Sequence, residues 1–560
     1  MKKRTVRNEN GVLRWVFIFV IVLCFVWNYS GMFDPKPDLN GDNLIYYTLA
    51  LSLSRGEGYV SPIGPVPEPH THFPPGYPAF MSLFLRLFPD SIVAMKVLNG
   101  ILFLTALLLL FHILRKTGGK FGLYVAFSAC LLCTFHPELL RYATIMMSEM
   151  LYTCITLGII TICLHLDMEK LRHGEWRQIC LLVGLCLLTA ASYLVRSIGM
   201  TIALAVVAAF GLSVLEKSLG RKRESHSWLW PLLVCALVLF SLLTAKESWS
   251  FRNRQVDPEY KGSYTNNFMS KQPDGQEEMS GLADWSERLA KNFTLFTTFY
   301  IPKSIFDPYT AAMRLKDEGS KTKPVAWGVG LIVLALILAG AFTWKKIRWL
   351  AVSYFVITVG VLMLYPEWLA DIRYLIPLVP LLIGGFLSGV VWLASLLAGR
   401  SPKRWIAYGL PLTLLVLLIG VTAPKYRSGQ DQLYRRMASY KSFKAFPEGS
   451  SFRQFVEACE AFSNAPEDIL VATRKPEIFY FFSHYHHAVP VSDFPPDEII
   501  ELLSRNNVDY LIGDSTFLNT YYAILLASDV YPEHFRLIKL FSGSNTPAFI
   551  LAFIASPEAQ

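Results

Sequence analysis

The sequence is short of charge. Asp, Glu, Lys and Arg make up only 17% of its 560 residues, where a soluble domain carries roughly 25%. The deficit is uneven. Long apolar runs alternate with short polar connections up to about residue 424, and the remainder has ordinary soluble composition. That pattern excludes a purely soluble chain and predicts a polytopic α-helical membrane protein with a C-terminal α/β domain. No nucleotide-binding glycine motif, internal repeat or low-complexity tract is evident. A disulfide framework is missing too, because eight of the nine cysteines lie in apolar segments and Cys459 stands alone in the tail. Cys130-Leu-Leu-Cys133 has redox-motif spacing but falls inside an expected span, where small apolar side chains are ordinary. The net charge of +9 does not imply nucleic acid, since most basic residues sit in short loops and report topology.

About eleven spans are expected, near 12–30, 92–114, 121–137, 149–166, 178–195, 198–215, 227–245, 325–344, 349–365, 374–397 and 405–423. The first reads as a retained signal anchor: it is led by Lys2, Lys3, Arg4, Arg7 and Arg14, and no small-x-small cleavage pattern follows. Basic loops at Arg115–Lys120, Lys170–Arg177, Lys217–Arg223, Lys345–Arg348 and Arg400–Arg404 fall on one side, the same as the amino terminus. By the positive-inside rule that side is cytoplasmic. The expectation is therefore a multi-pass protein of the cytoplasmic (inner) membrane with its N-terminus inside. A transmembrane domain, 1–424, would hold a first outer loop, 31–91, and a large outer loop, 246–324, and the α/β domain, 425–560, would lie outside.

The first loop is too long for a plain connection. Asp42–Arg55 and Ala79–Leu87 read as short helices in the membrane interface, joined by a Gly- and Pro-rich stretch. In the tail, Asp468–Thr473 and Val508–Ile512 read as strands, with a helix from about Pro495 to Ser504 between them. Phe535–Phe541 and Ala548–Ile554 read as antiparallel edge strands.

Two carboxylates at membrane edges are costly unless used. Asp42 is placed to take a proton from an acceptor hydroxyl or amine, or else to cap the helix it precedes. Asp34 and Asp38 compete for that role. Glu149 follows Ser148 and is either a second acid facing Asp42 or a helix N-terminal acid favoured by the dipole. His136, at the end of the third span, is a further candidate. Arg196 and Arg373 suit a phosphate, whose oxygens match the planar guanidinium, or else snorkel at the interface. Arg252 has similar standing. His70-Thr-His72 and His484-Tyr-His486-His487 lack a full metal-ligand spacing.

Taken together, Gly41-Asp42, Tyr46, Ala50, Gly56-x-Gly58-Tyr59, Phe73-Pro-Pro-Gly-Tyr-Pro78, Asn99, His136-Pro137, Ser148-Glu149, Tyr152, Arg196 and Arg373-Tyr374-Leu375 with Pro377 resemble the GT-C superfamily of integral-membrane glycosyltransferases. The likeness is to the bacterial branch of protein O-mannosyltransferase-like, aminoarabinose lipid A transferase-like and Rgt-type enzymes, and it covers about residues 10–400. It implies inverting transfer of a sugar from a polyprenyl-phosphate donor to an extracytoplasmic acceptor (lipid, glycan or protein) at the bilayer. Asp42 would be the general base and Glu149 the second acid. Tyr46, Tyr77, His136, Arg196, Arg373 and Tyr374 would bind substrate. Two departures are visible: Asp42 is followed by Asn43 rather than a second acid, and no clear match exists to the metal-binding acid of the aminoarabinose enzymes. A divalent metal is therefore not required by the sequence, and its use stays open. The competing classes are a lipid-linked glycan transporter, which would need mid-membrane charges and related halves, and a non-catalytic assembly protein.

Overall fold

The computed structural model describes residues 2–39, 42–219, 228–260, 268–271, 278–306, 323–367, 371–398, 409–420, 452–542 and 547–555. Gly41, the basic stretches 220–223 and 400–404, and the expected domain boundary at 424–425 lie outside the described residues.

The first half of the chain is a run of helices: α1 (Lys2–Met32), α2 (Asn43–Arg55), α3 (Gly76–Leu85), α4 (Ile92–Thr117), α5 (Gly122–Phe135), α6 (Pro137–Ala143), α7 (Glu149–His165), α8 (Met168–Arg172), α9 (Trp176–Val195), α10 (Met200–Leu219) and α11 (Leu229–Val256). Helices Lys323–Thr343, Arg348–Met363, Val379–Leu397 and Gly409–Gly420 complete the apolar set. Seven of the described helices are long and apolar enough to cross a bilayer, and the protein is a multi-pass membrane protein. A described helix falls within each stretch read as a span, but those of spanning length number seven, or eight with the bent pair, rather than about eleven: α7, Arg348–Met363 and Gly409–Gly420 are short, and the 121–137 segment breaks into α5 and α6 at an angle of 68°. The break has a local cause. Pro137 lacks an N–H and forces His136 out of the helical region, to ψ 116°, then opens α6 at its first turn.

Packing of the bundle relies on close backbone contact. A Cβ at Gly340 would fall on the carbonyl of Gly385, and one at Gly389 on the carbonyl of Leu336. Helices Lys323–Thr343 and Val379–Leu397 therefore meet along small residues, as helices do where lipid offers no hydrophobic drive to associate.

The first loop forms α2 and α3 as expected. The Pro-rich stretch between them adds a small antiparallel pair, β1 (Val60–Ser61) with β2 (Glu68–Pro69). Arg252 and Asn253, at the end of α11, hold this stretch. Arg252 donates to the carbonyls of His70 and Tyr59, and Asn253 donates to Thr71 O at 3.1 Å. Arg252 is thus a staple for the loop, and its guanidinium is engaged with backbone rather than held out for a phosphate.

The C-terminal region is a five-stranded mixed sheet, ordered β4 (Ala488–Pro490), β3 (Val471–Thr473), β5 (Tyr510–Asp514), β7 (Ala548–Phe553), β6 (Phe535–Phe541). β3 runs parallel to β4 and β5, and β7 antiparallel to β5 and β6. The expected helix is present as Pro496–Arg505. β7 is an interior strand, not an edge: all of its side chains are buried, and β6 alone of the pair is the edge. Strand β4 and helices Pro476–Phe482 and Leu518–Val530 have no matching sequence signal, because their short apolar runs carry no clear period.

This region packs onto the first loop. Leu39 and Leu44 share a core with Phe455, Phe479 and Phe482. Tyr47 meets the Phe481 ring edge-on at 6.0 Å, and Ala488 N donates to Ile63 O at 2.8 Å. One face of α2 is therefore held by the C-terminal sheet region, while its first turn carries Asp42 and Tyr46 to the bundle.

Candidate active site

Asp42, Glu149, Arg196 and Arg373 come from four separated stretches and meet at one end of the bundle. Arg373 lies between the acids: its Nε donates to Glu149 Oε1 at 2.5 Å and its Nη2 to Asp42 Oδ2 at 3.0 Å. Arg196 Nη1 pairs with the same Glu149 oxygen at 2.6 Å and donates to Ser148 Oγ at 3.1 Å. Glu149 is fully buried, whereas Asp42 and Arg373 keep 27% and 20% of their side-chain surface. Charge-assisted pairs of this kind are the strong ones, and burial makes them costly to break singly.

Local structure explains how each is aimed. Asp42 precedes α2 in the capping position, yet its carboxylate makes no cap bond and reaches Arg373 instead. Ser148 precedes α7 and likewise makes no cap bond, turning its hydroxyl to Arg196. Both positions thus give up an ordinary capping bond, usually worth about 1 kcal/mol, to build the charged cluster. Arg196 sits in extended backbone at the end of α9, where Ser192 Oγ bonds Gly199 O at 3.1 Å and a side chain at Gly199 would collide with the Ser192 backbone. Arg373 lies in a 3₁₀ turn, Ile372–Leu375, capped by Asp371, whose carboxylate accepts from Arg373 N at 3.1 Å. Burial works against the Arg373 charge, but Glu149 and Asp42 outweigh it and raise its pKa.

These groups border a cavity of about 240 Å³ lined by Asp42, Tyr46, His72, Arg196, Arg373 and Tyr374, with Phe73, Pro74, Ile198 and Tyr365 among the apolar and aromatic walls. Ligand pockets commonly run to roughly 300–1,000 Å³, so the space suits a compact polar head rather than a lipid tail. The Arg196 guanidinium lies 5.9 Å from the Tyr374 ring centre. Burial pushes the Tyr46 hydroxyl up to about 12, with the Arg196 charge opposing, so Tyr46 is a neutral donor at ordinary pH.

Of the residues singled out from the sequence, Asp42, Tyr46, Arg196, Arg373 and Tyr374 line the cavity, and Glu149 sits directly behind it. Tyr77 is one layer further out. Its ring packs edge-on against Tyr46 at 5.2 Å, and its hydroxyl donates to Asn99 Oδ1 at 3.2 Å. Asn99 in turn donates to the carbonyls of Ile145 and Met147, fixing the chain that leads into Ser148 and Glu149. Tyr77 and Asn99 are therefore supports for the acid. His136 caps α6, accepting from Leu139 N at 3.3 Å, and does not line the cavity. Asp34 pairs with Lys36 at 3.0 Å and Asp38 is not in the lining. His72 and Tyr365 do line it. The sequence offered His72 only as half of a metal pair, and Tyr365, isolated beside Pro366, gave no signal.

A divalent ion does not fit this donor set. Among the described residues no three His, Cys, Asp or Glu side chains converge. The space between the two acids is filled by the Arg373 guanidinium, and a cation placed there would meet a like charge at contact distance. His70 Nε2 accepts from Phe73 N at 3.0 Å, and both ring nitrogens of His486 are engaged by carbonyls, so neither histidine segment offers a ligand cluster.

No family model matches the sequence, and no curated protein matches it. The structure, however, is similar to solved ones. An archaeal oligosaccharyltransferase, AglB of Archaeoglobus fulgidus in complex with an inhibitory peptide and a dolichol-phosphate, superposes at a TM-score of 0.55 and 13% identity, over 98% of this chain and 75% of that one. ArnT of Cupriavidus metallidurans bound to undecaprenyl phosphate superposes at 0.55 and 12% identity, over 97% of this chain and 98% of that one. Its apo state gives 0.56 at 11% identity, over 98% and 99%. At these identities what is shared is the fold.

Proposed function

We propose, from the premise that the chain has the fold of the GT-C glycosyltransferases, that it transfers a sugar from a polyprenyl-phosphate donor to an extracytoplasmic acceptor with inversion. The observation that carries the reading is the joining of Asp42, Glu149, Arg196 and Arg373 at the wall of one cavity.

The donor's phosphate would lie against Arg196 and Arg373, with its prenyl chain along the lipid-facing helices and its sugar in the cavity. The acceptor oxygen attacks the anomeric carbon from the side opposite the phosphate. The carbon–oxygen bond to phosphate breaks, its electron pair leaves on polyprenyl phosphate, and the acceptor's proton passes to Asp42. Arginines fixed before the reaction stabilise the charge that builds on the leaving phosphate. Asp42 adds base catalysis of roughly 10²–10⁴-fold. Glu149 holds both guanidiniums in place and need not touch the reacting atoms. Tyr46 and Tyr374 offer a hydroxyl donor and a ring face to the sugar. The amino terminus would lie on the cytoplasmic side of the inner membrane, with the α/β domain 425–560 on the outer side.

The test is transfer by purified Asp42→Asn from polyprenyl-phosphate sugars. A loss of at least 100-fold in turnover is expected, and turnover like that of the unsubstituted protein would remove Asp42 from the chemistry.

A further inference from the structure

Arg373 makes two demands on one guanidinium. Its Nε is committed to buried Glu149, and its Nη2 to Asp42, which lines the cavity and keeps 27% of its side chain exposed. Arg196 is held differently: its Nη1 serves both Glu149 and Ser148, its guanidinium lies 5.9 Å from the Tyr374 ring centre, and 10% of its side chain is exposed. The contact that an incoming anion can replace is therefore the more exposed one, between Arg373 and Asp42. Charge counting agrees. The cluster of two acids and two arginines is neutral, so an arriving phosphodiester meets net positive charge only where a resident carboxylate moves aside.

We infer that Arg373 is the resident cation of this site, in the position a divalent ion would take between the two acids, and that the donor's phosphate displaces Asp42 from it. The inference rests on the proposed transferase reading. The phosphate oxygen takes over the Nη2 bond, a bidentate-capable fork keeps its Nε on Glu149, and the Asp42 oxygen is released to face the acceptor hydroxyl. No bond is made or broken in this step, and the exchange is one ion pair for another. Donor binding thus arms the base, and an empty site keeps it occupied. The Arg373–Asp42 pair, with 20% and 27% of its side chains exposed, costs less to open than the Arg196–Glu149 pair, whose carboxylate is fully buried.

The sign of one substitution tests this. Full-length protein in detergent is titrated with decaprenyl monophosphate by tryptophan fluorescence, with and without EDTA. Asp42→Asn removes the competitor and is expected to tighten binding about tenfold, and Asp42→Ala to act in the same direction. Arg373→Gln is expected to weaken binding at least tenfold, and EDTA to leave every affinity unchanged. In Arg373→Lys, whose point charge cannot bridge both acids, the Asp42→Asn effect should fall below twofold. Weaker binding by both Asp42 variants, or affinity lost to EDTA and restored by Mg²⁺ or Mn²⁺, would overturn the inference while leaving a lipid-phosphate site in place. Absence of binding by the unsubstituted protein, at concentrations where the lipid stays dispersed, would overturn the inference and the transferase reading together.

Discussion

Replacing Glu149 with glutamine keeps the shape of the side chain and removes its charge. Glu149 is fully buried, and a single oxygen receives Arg196 at 2.6 Å and Arg373 at 2.5 Å. After substitution Arg373 retains Asp42, and solvent reaches a fifth of its side chain, so its share of the loss is small. Arg196 retains Ser148 and the nearby Tyr374 ring, neither of which carries a full negative charge. Stranding one buried guanidinium in this way costs about 3–5 kcal/mol. Removing the stranded charge as well, in Glu149→Gln/Arg196→Met, should recover part of that, giving a coupling of about 2 kcal/mol in a double-mutant cycle. Reversible unfolding in mixed micelles of a mild detergent and dodecyl sulfate measures all four corners. A Glu149→Gln protein within about 1 kcal/mol of the unsubstituted one, or a coupling near zero, would refute the argument that Glu149 anchors the arginines.

Three other outcomes are expected. Burial raises the Asp514 carboxyl from 3.8 to about 6, so the folded C-terminal region binds its proton more tightly than the unfolded chain does. Stability is then fullest below about pH 4 and is lost as pH rises through about 6, by about 3 kcal/mol in all; Asp514→Asn should abolish that slope in amide-exchange protection of β5. Burial, with the charges of His72 and Arg252, lowers His70 from 6.5 to about 4, and its Nε2 must stay unprotonated to accept from Phe73 N. The order it gives the first loop is present above about pH 6.5 and lost as pH falls towards 4, so limited proteolysis of residues 56–75 should quicken across that window, and not in His70→Gln. Gly340→Ala should leave little folded protein in fluorescence-detection gel filtration, because its new Cβ falls on backbone. Gly360→Ala, with nothing within 4 Å, should behave as the unsubstituted chain does.

Local pattern alone carried the long membrane helices and the costly charges beside them, but not every short element of the C-terminal sheet region. Apolar runs of bilayer length marked the helices because lipid leaves a backbone no other way to satisfy its polar groups. Asp42, Glu149, Arg196 and Arg373 stood out because charge beside such runs is expensive. Tertiary structure decided what those charges do. Asp42 and Ser148 sit where caps belong, and nothing local shows that both turn away to arginines 331 and 48 residues distant. The same is true of Tyr77 and Asn99, which support Glu149 from behind, and of His136, whose place at a membrane edge suggested a ligand but whose ring caps a helix. Helix lengths follow from energies summed along the chain. Which carboxylate a guanidinium meets follows from how helices far apart in sequence pack together, and a single stretch of sequence carries no record of that.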